Sequence, residues 1–168
     1  MLWLERKFKL QLPVEMFPNV LERLRGTPAR LEHKLQGVDR ETLIRKAGDK
    51  WSLQEQVGHL CDCWILWDGR LTDYENKLDE LTPADLSGSK TNQANHNAAE
   101  LSELLTRFRT NREGLIARFE KFGIEGAGQV AHHPRLDMPM RVIDLAEFIA
   151  EHDDHHLTMM TGILKAGR

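Results

Sequence analysis

Apolar residues recur every three or four positions through four long segments of this 168-residue chain, and glycine- and proline-rich stretches separate the segments. At 3.6 residues per turn such positions share one helix face, so each segment carries a stripe that must be buried, and the stripes bury one another. The first segment spans about 18–38, with Val20, Leu21, Leu24, Leu31 and Leu35 as its stripe; Pro28 predicts a kink or split near Thr27. The second opens at WSLQEQVGHL, where Ser52 and Glu55 have capping-box spacing. It carries Val57, Leu60, Cys61, Trp64, Trp67 and Leu71 and ends before Pro83. TPADLSGSKTNQ, at 82–93, reads as a loop. The third segment covers about 95–122, with Gly123 as its stop, and the last about 140–165; GIEGAGQVAHHPRLDMP between them reads as a break. Ahead of all four, KFKLQL at 7–12 alternates, so residues 3–12 form an extended arm or the one candidate strand. The expectation is an all-α four-helix bundle with a short N-terminal extended arm, forming one domain over residues 1–168.

Net charge is −3 with basic and acidic residues interleaved, which gives no electrostatic footprint for a nucleic-acid backbone, and no nucleic-acid partner is expected. No apolar run approaches the roughly 20 residues of a bilayer span, and the N-terminus lacks the apolar core of a signal peptide. A cytoplasmic location without a membrane partner is therefore expected. Cys61 and Cys63, two residues apart on a helix, point to different faces and read as reduced thiols.

The stretch EFIAEHDDHHL, at 147–157, puts three histidines and four carboxylates into eleven positions. His152 and His156 are four residues apart, which stacks them on one face with Cβ atoms about 6 Å apart, close enough to bind one divalent ion from the same side. Open catalytic sites of the zinc type use three protein ligands. His59, flanked by Val57 and Leu60 at the edge of a buried stripe, faces the bundle interior and is the best third ligand. His155 is the rival to His156. Asp62, Glu151, Asp153 and Asp154 are candidates to receive the non-ligating imidazole N–H groups, and Cys63 is a weaker candidate for a fourth ligand. The alternative is that HDDHH is a solvated patch and His59 a hydrogen-bonded core histidine. The chain has no H-E-x-x-H, no G-x-S-x-G and no phosphate-cradling glycine loop, and Glu55 and His59 lack di-iron spacing. His132 and His133, in a loop ahead of Pro134, could edge the pocket, but a solvated loop is the favoured reading.

WSLQEQVGHL, with its tryptophan, glutamate and the histidine eight residues after the tryptophan, together with FIAEHDDHHL, closely resembles the DinB/YfiT-like superfamily in motif order over nearly the whole chain. The resemblance implies a four-helix bundle, often dimeric, in which three histidines hold a divalent ion, commonly zinc or nickel. Its ligand positions fall on His59, His152 and His156. It also implies a small-molecule substrate. Some relatives are S-transferases using a low-molecular-weight thiol such as bacillithiol or mycothiol, one is a mycothiol-dependent isomerase, and many are called metal-dependent hydrolases. The expected function is thus thiol or water activation at a three-histidine metal, with no catalytic residue identified. For a sugar-linked thiol, Asn92, Asn95, His96 and Arg135 are candidate rim residues. The alternative function is a non-catalytic, metal-stabilised dimeric bundle acting as a structural or stress-related interaction module, which a fourth protein ligand would favour. A homodimer is also expected because Trp3, Trp64 and Trp67 suggest more apolar surface than one core takes.

Overall fold

The computed structural model describes residues 3–166, so the outermost two residues at each end of the expected domain lie outside it. The first bundle helix comes in two pieces, Phe17–Arg25 (α1) and Thr27–Leu35 (α2), parted at Gly26. Pro18 and Pro28 each sit in a first turn, where the missing N–H has no intrahelical partner to lose, so the split falls where Pro28 predicts it. A short helix, Arg40–Ile44 (α3), follows, capped by the Asp39 side chain. Leu53–Asp62 (α4) starts on the capping box: the Ser52 hydroxyl accepts the Glu55 N–H at 3.1 Å, and the Glu55 carboxylate accepts the Ser52 N–H at 2.8 Å. Trp64–Glu75 (α5) continues it beyond a break at Cys63. The break is invisible in sequence because the apolar stripe runs through it unchanged.

Three further elements correct the expected layout. The loop at 82–93 contains a short helix, Ser89–Gln93 (α6). The third long helix, Leu101–Gly126 (α7), begins later than expected. Asn95 is left-handed, residues His96–Ala98 make a 3-10 turn, and the Gln54 amide donates to the His96 and Ala99 carbonyls. Gly123, with φ +59°, interrupts α7 where the stop was expected. The break before the last helix holds a hairpin, Val130–His133 (β1) paired antiparallel with Met138–Arg141 (β2), and Val142–Ala166 (α8) follows. The arm at 3–12 is no strand. Its alternation arises because Phe8, Leu10 and Leu12 lie against the bundle, where no neighbouring strand pairs with their backbone.

α1 packs on α7 and α8, α4 on α7 and α8, and α5 on the same two. The buried apolar residues form two clusters. One gathers Leu24, Trp67, Leu71, Phe119 and Ile149; the other gathers Leu31, Leu53, Val57, Phe108 and Met160. Between them, along each helix in turn, lie Thr27, Cys63, Arg112 and the run His152, Asp153, His156. A polar layer therefore crosses the bundle at mid-height, and two of the four helices break beside it.

Gly58 is where α4 meets the 96–98 turn: a Cβ there would lie 2.2 Å from the His96 ring. Gly58→Ala should destabilise the fold by roughly 1–3 kcal/mol through overpacking. Gly69→Ala, on α5 with nothing within 4 Å of its added methyl, should instead gain up to about 1 kcal/mol in helix propensity. Urea denaturation of the two variants beside the parent reads the contrast.

Candidate metal centre

α8 brings His152 and His156 to the same inner face, each only 5% exposed, and α4 brings His59 across from them. His152 Nε2 lies 3.1 Å from His156 Nε2 and 3.4 Å from His59 Nε2. The opposite ring nitrogens of His59 and His156 are held from behind. The Thr91 hydroxyl donates to Asp62 Oδ2 at 3.1 Å and so offers a lone pair to His59 Nδ1–H, also at 3.1 Å. Gln56 Oε1 accepts His156 Nδ1–H at 2.5 Å. Both rings thereby keep the proton on Nδ1 and aim an Nε2 lone pair at His152. His152 Nδ1 is buried without a partner. Its ring is held edge-on by Trp3 and Trp67, with centroids 5.0 and 5.7 Å away.

Burial holds all three imidazoles neutral. It pushes His59 down to about 4, and drives His152 and His156 well below the usual histidine range, with the neighbouring histidines adding to the effect. A cation among the three neutral rings would take their Nε2 lone pairs, and without one the His152 Nε2–H tautomer can donate to its neighbours. Ion–nitrogen bonds of about 2.1 Å at tetrahedral to right angles place ligand nitrogens about 3.0–3.4 Å apart, and the two distances from His152 Nε2 have that spacing, so the donor set fits a divalent metal. Cys63 stands closer than its sequence ranking suggested: Sγ is 3.4 Å from His59 Nε2, and with His59 and His152 it forms a group whose ligand atoms lie within 4.8 Å of one another. Burial pushes its thiol up to about 12.

His155 is set off from this convergence, with its ring 5.6 Å from Trp3. Of the expected supporting carboxylates, only Asp62 serves an imidazole, through Thr91; it also takes His96 Nε2 at 2.8 Å. The other three point elsewhere. Asp153, about 100° around the helix from His152, makes a buried ion pair with Arg112 at 2.8 Å. Glu151 pairs with Arg6 and Arg23, and Asp154 with Arg23 and Arg30. Sequence reasoning missed Thr91 and Gln56. Gln56 carries a legible signal, one turn before His59 on the same face of α4, whereas Thr91 reaches the site only through the fold of the 82–93 segment.

The histidines and Cys63 line a cavity of about 420 Å³ whose other walls include Trp3, Leu66, Trp67 and Phe148. His133, expected in a solvated loop, is 1% exposed on that wall and accepts Arg70 Nη1–H at 3.0 Å. Strand β1 buries it, and burial with the two nearby guanidiniums pushes it down to about 4. Of the four expected rim residues only Arg135 lines the cavity. Asn92 accepts from the Trp51 indole N–H at 2.8 Å, His96 is buried against α4, and Asn95 is exposed in a turn.

His156→Ala should cost tenfold or more in metal affinity, while His155→Ala should leave metal content nearly unchanged, as elemental analysis of the purified proteins would read. Acid should act on the metal-free protein as well. His59 and His133 titrate near 4 in place but near the usual 6.5 when unfolded, so between these values the unfolded chain binds more protons. Their contribution is full above pH 6.5 and falls as pH drops toward 4. Denaturation at pH 7.5 and pH 5 should show the lower stability at pH 5.

No curated protein matches this chain. Among solved structures, YfiT from Bacillus subtilis, described as a probable metal-dependent hydrolase with an unusual four-helix bundle topology, superposes with a TM-score of 0.78. Identity is 17%, and the match covers 96% of this chain and 93% of YfiT. At that identity the likeness shows the fold, a four-helix bundle. Residues 23–160 match the sequence model of the DinB superfamily. With a match over most of its length, and with the bundle that the structure shows, the chain belongs to the DinB superfamily.

Proposed function

We propose that this chain is a metal-dependent enzyme in which His59, His152 and His156 hold a divalent ion, zinc or nickel, beside a cavity that receives a small-molecule substrate. The observation that carries the reading is the convergence of His59 and His156 Nε2 on His152 Nε2, with their Nδ1 protons taken by Thr91 and Gln56. Such an ion supplies Lewis acidity that brings the pKa of a water or thiol toward neutrality. The chain's own residues do the rest. Thr91 and Gln56 fix the imidazole tautomers, Trp3 and Trp67 hold the His152 ring, and the apolar cavity walls exclude water from the reacting groups.

Water activation gives a hydrolase, the reading supported by the description of YfiT. Thiol activation gives an S-transferase using a low-molecular-weight thiol, the reading supported by the family resemblance. A second class of function has one observation in its favour: Cys63 Sγ, 3.4 Å from His59 Nε2, is placed to close the coordination sphere, which suits a non-catalytic, metal-stabilised bundle. A homodimer belongs to both readings and rests on the family resemblance, because the tryptophans offered as surplus apolar surface are packed within the chain. Trp3 lies on Phe8 and Phe148, Trp64 on Gly114, and Trp67 is 5% exposed. No described helix is long and apolar enough to cross a membrane, and the cytoplasm remains the proposed location.

Metal analysis of Cys63→Ser separates the classes. An open catalytic site should keep its ion with affinity changed by less than about tenfold, whereas a closed site should lose it. Metal-loaded protein should then be assayed with low-molecular-weight thiols plus electrophiles, and with esters and amides. Turnover in either screen that disappears in His152→Ala supports the enzyme reading. Absence of bound metal, or turnover indifferent to His152, overturns it. Sedimentation equilibrium should give about twice the chain mass of 19.4 kDa.

A further inference from the structure

The cavity has a second polar end that the metal reading leaves unused. Arg70, on α5, is 0% exposed. Its Nε donates to the Thr82 carbonyl at 3.0 Å and its Nη1 to His133 at 3.0 Å, while Nη2 is buried with no partner. Both acceptors are neutral. Asp73, whose charge acts on Arg70 from a distance, is engaged by the Thr82 N–H at 2.6 Å and the Thr82 hydroxyl at 3.2 Å. Arg135, half-buried with its guanidinium 5.7 Å from the Phe148 ring centre, also has a buried Nη2 without a partner. Asp85, the one carboxylate on the described wall, is exposed and accepts from Ser87 and Ser89. Two cations therefore line one cavity without an ion pair among the described residues, Asp73 and Asp85 acting on them only from a distance, and a ligand carboxylate would supply the direct counter-charge.

We propose that Arg70 and Arg135 form an oxyanion-recognising end of the cavity and that the substrate is a small molecule with an apolar body bearing a carboxylate. Two guanidiniums on one wall of the cavity, neither in an ion pair among the described residues, can share the two oxygens of one carboxylate. Trp67, Phe148, Leu66 and Trp3 supply the surface for the apolar body. One indole bridges the two ends: the Trp67 ring centre is 5.6 Å from the Arg70 guanidinium and 5.7 Å from the His152 ring. A ligand held at the arginines by its carboxylate thus carries its other end toward the histidines. Burial, and secondarily Arg135, pushes Arg70 down to about 10, so it remains charged at neutral pH. This inference rests on reading the cavity as a substrate site, but it does not require the ion.

Titration calorimetry with 3-phenylpropionate, 3-phenylpropionamide and 2-phenylethylphosphonate tests it on metal-loaded protein, on protein stripped with a chelator, and on two variants. The carboxylate should bind roughly tenfold or more tightly than the amide, in both metal-loaded and stripped protein. The preference should shrink by a similar factor in Arg135→Gln and in Arg70→Lys. Arg135→Gln, at the half-buried position, decides the matter alone if Arg70→Lys fails to fold by circular dichroism. Equal binding of acid and amide, or a preference untouched by the variant, overturns the proposal. A preference present only with metal bound overturns it too, since the ion itself then holds the carboxylate, and the metal reading stands. A preference that survives in a protein unable to bind metal upholds the arginine site while the metal reading fails. Tighter binding of the phosphonate overturns the carboxylate assignment in favour of a phosphate-bearing substrate.

Discussion

The bundle must bury its middle, and its middle is polar. Arg112 and Asp153 pair at 2.8 Å with side chains 4% and 1% exposed, in the same layer as His152 and His156. Taking two charges out of water costs several kcal/mol per ion, which their attraction only partly offsets. Burial pushes the Asp153 carboxyl upward while Arg112 works against that push. Such a layer persists only because apolar clusters above and below clamp it: Leu24, Phe119 and Ile149 on one side, Leu31, Phe108 and Met160 on the other. The hydrophobic effect closes the bundle at both ends, and the polar layer is carried along at the centre.

That arrangement suits the centre to chemistry. Side chains anchored on long packed helices hold their positions better than side chains on loops. His152 and His156 share one face of α8 and Asp153 lies on another, so α8 serves the cavity with the two histidines and locks onto α7 with the aspartate. The chain from Asp62 through Thr91 to His59 ties the short helix α6 to the same point, which gives the irregular 82–93 segment a defined place. Gly58 permits the 96–98 turn to lie flat on α4, and so lets His96 reach Asp62.

Much of this was legible in the chain. The four stripes, the capping box at Ser52, the split at Pro28 and the interruption at Gly123 follow from period and backbone chemistry acting over a few residues. His59, His152 and His156 meet because an i,i+4 pair on one buried face and a lone histidine on the edge of another have few other places to go. The illegible parts depend on contacts distant in sequence. The hairpin of β1 and β2 has strands of four residues each, too short for alternation to declare them. Its strand β1 is steadied by backbone bonds from residues 79–81 to His132. His133 looked solvated because nothing local says that β1 will press it against Arg70. Asp153 looked like a partner for a histidine because its true partner, Arg112, lies 41 positions away.

The charge balance of the cavity ties the two polar ends together. Three neutral imidazoles contribute no negative charge; Glu151, Asp153 and Asp154 are paired with arginines, and Asp62, held behind Thr91, acts on His59 only from a distance. A dication held there keeps nearly its whole charge, unlike one bound by carboxylates or thiolates. Cys63 does not change this while burial keeps its thiol protonated. Arg70 and Arg135 add two more positive charges to the same space, and the apolar walls screen none of them. On the proposed reading the cavity favours an anion at either end. An anionic ligand held at the arginines would gain from the whole field, and negative charge developing near a histidine-bound ion would be stabilised by groups already in place, with no reorganisation of the protein.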